Sequence, residues 1–148
     1  MYVALIVMTQ LSMLVLILLV YKNKSLNKSG KTGLIITSVL IMAGALFECL
    51  GELLNGLGPE FYVLHNIIKF FELSVAPIIP IVISTAFYPI KSRHLVFIPN
   101  AIHIVLEFLS LFYGFIFNID ENNIYTHGKF YFIYYTVFLG NISYSYGC

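Results

Sequence analysis

Residues 2–33 read YVALIVMTQLSMLVLILLVYKNKSLNKSGKTG, an apolar stretch that runs directly into Lys22, Lys24, Lys28 and Lys31. A bilayer core of ~30 Å takes about 20 apolar residues in helix. The run 2–21 has that length, and its strongly polar members are only Thr9, Gln10 and Ser12. No basic segment precedes it, and it is longer than the apolar part of a secretory signal. It therefore reads as a retained membrane helix. The rest of the chain follows suit. Of 148 residues, 59% are hydrophobic and 10% are charged, with a mean hydropathy of +0.90. Soluble domains carry about 25% charged residues, so this chain cannot clothe a water-facing surface, and a soluble globular enzyme is excluded.

Four further segments approach spanning length: 34–54, 62–88, 95–117 and 130–148. In lipid each backbone N–H and C=O needs a partner inside its own segment, so continuous apolar runs are helices. The expected fold is all-α: one polytopic transmembrane domain over 1–148, with five helices. Six of the eight Lys and Arg residues fall in the connections 22–33 and 89–94, which hold Lys91 and Arg93 besides the first four lysines. The connection 118–129 instead carries Asp120 and Glu121. Basic loops stay cytoplasmic, so the N-terminus and the connections 55–61 and 118–129 lie outside and the fifth helix runs inward. Tyr21, Tyr62, Tyr88, Tyr125 and Tyr131 stand near predicted helix ends as interface anchors. Pro77 and Pro80 fall inside the third helix and predict a kink, whereas Pro99 lies near the start of the fourth, where it is tolerated.

Ionisable residues within a spanning helix cost ~2.5–3.5 kcal/mol each at its centre, which makes them candidates for function. Glu48 and Glu52 share a face of the second helix. His65, Lys69 and Glu72 share a face of the third, and His103 and Glu107 a face of the fourth, all at steps of three or four. Turned inward, these stripes make an intramembrane polar pocket, with Asn66 and Asn100 as further donors. Lys69 can pair with Glu72 or with Glu52, and His103 with Glu107. The same residues would also serve as interhelical hydrogen-bonding glue. His65, His103 and Glu107 are of metal-ligating type, but no ligand motif joins them, and no metal or cofactor is expected.

Cys49 lies in an apolar stretch and reads as a packing residue, and Cys148 is terminal; neither belongs to a CxxC or zinc spacing. The chain has no P-loop, GxGxxG, GxSxG or HExxH. The loop NIDENN lacks the order and glycine of a calcium loop. No catalytic residues are assigned, and no nucleic-acid partner is expected.

The second to fifth helices carry Phe47-Glu48, Gly51-Glu52, Asn66, Ser74, Pro77, Asn100 and Leu109-Ser110. Beyond Gly114–Phe117 the chain continues Ile119-Asp120, Asn123, Tyr125, Gly128 and Phe130-Tyr131. Over 46–135 this resembles the N-terminal multi-helix membrane region of bacterial signalling proteins that carry a C-terminal diguanylate cyclase (GGDEF) domain. The resemblance is densest in the pattern F-x-I-D-x-x-N-x-Y-x-R-G-x-x-Y, in which His127 here takes the place of Arg. It implies an input region in the bacterial cytoplasmic membrane and a small-molecule or ion ligand. It also implies a loop site at Asp120, Asn123, Tyr125, His127 and Gly128, and homodimerisation through the output domain. The GGDEF signature itself is absent, so any cyclase activity would belong to residues beyond Cys148, and the chain reads as a fragment. Similar regions precede histidine kinases. A small transporter or channel subunit using the Glu, Lys and His residues as an ion or proton path is the main rival, and an accessory membrane protein is another. A transporter commonly repeats its broken helices in matching halves, and only the third helix is interrupted by proline at its centre.

Overall fold

The computed structural model describes residues 2–87 and 93–146. Tyr88, Lys91, Cys148 and the far ends of the third and fifth expected helices lie outside the described residues. The described chain is mostly helical. Three stretches, Val3–Lys22, Lys28–Leu54 and Pro59–Thr85, are long and apolar enough to cross a membrane, and Phe97–Tyr113 is a shorter apolar helix.

α1 (Tyr2–Lys22) is apolar on every side, and of its described large side chains only Ile6 and Val20 are buried. Gln10 ties it to its neighbour by donating to the Met42 carbonyl at 3.0 Å. α2 (Lys28–Leu54) starts six residues before the expected 34. Asn27 caps it, its side chain accepting from Gly30 N at 2.7 Å, so the polar KSGKTG forms the first turns. Hydropathy sets the apolar boundary at Leu34, but capping sets the helix boundary. A glycine-bearing turn and a 3-10 turn (Pro59–Phe61) follow.

The expected third helix is two helices, α3 (Tyr62–Val75) and α4 (Ile78–Phe87), divided at Ala76 and Pro77. Proline has no N–H to give the carbonyl four residues back, so Leu73 loses its helical donor. α5 (Arg93–Tyr113) contains Pro99 within it and stops four residues short of the expected 117. Gly114, at φ +64°, ends it in the left-handed conformation, with its N–H on the Ser110 carbonyl at 2.9 Å.

The chain then forms a short antiparallel hairpin, which an all-α reading lacks. β1 (Phe117–Ile119) pairs with β2 (Tyr125–His127) in the register Phe117 to His127, Asn118 to Thr126 and Ile119 to Tyr125. Ser110 docks it on α5: its hydroxyl accepts from the N–H groups of Ile116 and Phe117 and donates to the Phe117 carbonyl. Gly128 sits so close to Phe115 that a β-carbon would stand 2.2 Å from its carbonyl oxygen. α6 (Phe132–Tyr146) begins at Phe132 rather than 130.

α2 packs on α1, α3 and α4; α5 packs on α3, α6 and β1; and α4 packs on α6. Gly30 at the start of α2 lies near the Phe87 ring at the end of α4, and Lys31 Nζ reaches the Tyr21 carbonyl at 3.4 Å. These contacts define a lysine end. The opposite end carries the turn at 55–61 and the hairpin, whose Phe117 and Ile119 form the apolar core with Leu73. Among the described residues, the turn at 55–61 and the hairpin, which the sequence assigns to one side, lie at the same end of the bundle.

Candidate functional site: a layered polar core under the hairpin

Buried polar side chains descend from the hairpin in four layers, because α3 and α5 each present one every three or four residues along facing stripes. In the first, Asn123 is fully buried and makes three contacts outside its own turn. Its Oδ1 meets His65 Nδ1 at 2.9 Å, its Nδ2 donates to the Leu54 carbonyl at 2.6 Å, and its own carbonyl accepts from Gly56 N at 2.9 Å. Asn123 holds φ +62°, a left-handed value that asparagine tolerates better than most residues.

In the second layer Lys69 Nζ lies 2.9 Å from Glu72 Oε2 and 4.6 Å from the centre of the Tyr125 ring. Gly51 of α2 makes room for this pair. The third holds His103 and Glu107, 1% and 0% exposed, with Nε2 3.2 Å from Oε1 and the Tyr134 ring 6.0 Å from the imidazole. The Leu73 carbonyl orphaned by Pro77 approaches His103. In the fourth, Asn100 and Asn141 exchange hydrogen bonds at 3.0 and 3.1 Å, and Asn141 Nδ2 also donates to the Pro77 carbonyl at 2.8 Å.

Of the seven intramembrane residues singled out from the sequence, five come together: His65, Lys69, Glu72, His103 and Glu107. Glu48 and Glu52 do not join them. Both are exposed on α2 and reach the cluster only electrostatically, Glu48 at Glu72 and Glu52 at Glu72 and His65. Lys69 has taken Glu72 rather than Glu52. Asn66 turns back on its own helix, donating to the Tyr62 carbonyl at 2.9 Å, and contributes nothing to the cluster. Among the described residues no group of three or more His, Cys, Asp or Glu is placed to hold a metal; His65 faces Asn123 while His103 faces Glu107.

The loop residues divide similarly. Asn123 and Tyr125 point into the bundle. Asp120 shapes the turn, its Oδ1 accepting from the N–H groups of Asn122 and Ile124. His127 is exposed and lies flat on Tyr131 at 3.8 Å between ring centres. Gly128 is required by the close passage of Phe115. Tyr125 and Tyr131, expected as interface anchors, instead fold inward and hydrogen-bond to each other. Burial, with Tyr131 alongside, raises the Tyr125 hydroxyl above its ordinary range. Tyr21 and Tyr62 remain exposed at helix ends, as anchors would.

Sequence reasoning missed Asn141, Ser110, Tyr131 and Tyr134 as members of the core. Asn141 was visible as an isolated amide in the apolar run of α6; the tyrosines were not separable from the other aromatic residues. No family model, no curated protein and no solved structure matches this chain.

Proposed function

We propose that the chain is the membrane-embedded input region of a bacterial signalling protein. It crosses the cytoplasmic membrane five times with its lysine end inward, and its output is a diguanylate cyclase, as the resemblance implies. The observation that carries this reading is Asn123. One buried side chain in the outer hairpin bonds both the end of α2, at the Leu54 carbonyl, and the top of the α3 polar stripe, at His65. Hairpin position and helix packing are therefore one variable, and a stimulus that binds two hairpin positions unequally shifts the packing.

The shift has a route inward. α3 meets α4 at the Pro77 break, where the backbone lacks a hydrogen bond and bends at low cost. Asn141 of α6 holds the Pro77 carbonyl at that break. Movement of the break is thus delivered to α6, the helix that would lead to a cytoplasmic output domain.

The test is a fusion of residue 148 to a GGDEF cyclase domain, with cyclic di-GMP measured in cells at matched membrane abundance. Asn123→Ala and Asn141→Ala should each change basal output about fivefold or more, the lower end of ordinary allosteric coupling. Output equal to the unmutated fusion in both variants overturns the proposal.

A further inference from the structure

The two acids of the core, Glu72 half-buried and Glu107 fully buried, are not held alike. Glu72 has the Lys69 ammonium at 2.9 Å, and that ammonium has the Tyr125 ring as a second partner. Among the described residues Glu107 has no such cation, and its only neighbouring base is His103. Its carboxyl is 0% exposed, and neither oxygen has a hydrogen-bond donor besides the His103 contact, 3.2 Å away at Nε2. A carboxylate and an unprotonated nitrogen at that distance would set lone pair against lone pair, so at least one of the two carries a proton.

The count of charges fixes how many. Lys69 and Glu72 cancel, so the four groups are neutral when the dyad holds one proton on Oε1 or Nε2 besides the ring's own at Nδ1. Losing it leaves a buried carboxylate with no donor, a costly state. Gaining a second makes a carboxylic acid beside an imidazolium. The Leu73 carbonyl, which Pro77 cannot donate to, approaches the ring on its other side. The remaining groups around the dyad are Lys69, Glu72 and His65 from α3, Tyr134 from α6, Tyr125 from the hairpin and Tyr131 from the turn before α6. Glu48 of α2 acts on Glu72, and Glu52 of α2 on both Glu72 and His65.

We infer that the Glu107–His103 dyad is a proton-binding site, and that a proton is the ligand this polar core exchanges. The inference rests on the sensor reading for its purpose but not for its geometry. Uptake takes one proton from water, forms one O–H or N–H bond and leaves the site with one added positive charge. That charge repels Lys69 and weakens its hold on Glu72, while the exposed Glu48 and Glu52 stand on the adjoining helix. Proton number and the packing of α2 on α3 are thereby linked.

The full chain in lipid nanodiscs, followed by infrared difference spectroscopy across pH, tests this. A carboxylic-acid C=O band is expected, moving to lower frequency in D2O, changing with pH, absent in Glu107→Gln and retained in Glu72→Gln. His103→Gln should displace its midpoint by about one pH unit or more. A pH-dependent band that survives Glu107→Gln, or no such band in the unmutated chain, overturns the site. Should Glu107→Gln fail to insert, Glu107→Asp replaces it: the band must then change frequency, and an unmoved band overturns the site equally. The spectrum needs no output domain, so a failed cyclase fusion and a failed proton site are read separately.

Discussion

A β-carbon on Gly51 would stand 2.8 Å from Cε of Lys69, closer than side chains tolerate. The Lys69 stem therefore lies against the bare backbone of α2, and the ammonium beyond it is fixed by Glu72. A lysine tip elsewhere would swing aside, but this one is 3% exposed and ion-paired. Gly51→Ala should lower stability by about 1–3 kcal/mol, the usual cost of overpacking. Gly44→Ala is the control, since its nearest neighbour is Val75 Cγ1 at 4.0 Å, an ordinary contact. Thermal unfolding in one detergent compares the two; equal melting temperatures would remove Gly51 from the argument.

The Lys69–Glu72 pair predicts a non-additive mutant cycle. Removing one partner of a buried ion pair strands the other charge and costs about 3–5 kcal/mol. Lys69→Met should therefore destabilise strongly, and Lys69→Met combined with Glu72→Gln should recover much of the loss. Unfolding midpoints of the four proteins measure this. Additive losses would mean that the pair is held apart by water and matters little.

Much of this was legible in the sequence, for reasons tied to particular residues. The apolar runs gave the helices because a bilayer tolerates nothing else. The steps from His65 to Lys69 to Glu72 and from His103 to Glu107 gave the two facing stripes because the helical period is fixed. The ends were read less well. Asn27 and Gly114 are ordinary capping residues that outweigh hydropathy, so α2 starts early and α5 stops early. The hairpin was hidden because Phe117 reads as the end of the fourth helix and 118–129 as an open connection; only Gly114 and the Asp120–Asn123 turn hint at the change. Glu48 and Glu52 were assigned inward on spacing alone, and spacing shows which residues share a face but not where the face points. The half-buried tyrosines depend on how the hairpin folds back over α3, a long-range event that local pattern does not encode.

Tyr125 predicts an alkaline limit. Burial raises its hydroxyl above the ordinary 10.0, so the folded chain keeps the proton at a pH where the unfolded chain gives it up. Stability from this source is complete below pH 10 and declines as pH rises further, by about 1.4 kcal/mol per unit for each proton. Tyr125→Phe removes that proton from the balance. Its stability should fall less steeply between pH 10 and pH 11 than that of the unmutated chain, in unfolding curves taken at each pH. Parallel slopes would show that the hydroxyl is wetter than its surroundings indicate.

Asn123 separates backbone from side-chain roles. Asn123→Gly keeps φ +62° accessible but deletes the bonds to His65 and Leu54, whereas Asn123→Ala deletes them and adds left-handed strain of about 1–2 kcal/mol. Asn123→Asp keeps an acceptor for His65 and loses the donor to Leu54, setting a carboxylate against a carbonyl. Each substitution should loosen the hairpin, with alanine worse than glycine by roughly the strain term. Amide hydrogen exchange at Gly56 and Tyr125 reports it directly. Gly56 N–H is held by the Asn123 carbonyl and Tyr125 N–H by Asn55 Oδ1. Both should exchange faster in all three variants, while an amide at the lysine end such as Gly30, held by Asn27, should not change. Faster exchange at Gly30 as well would mean global unfolding and would remove Asn123 as a specific clasp.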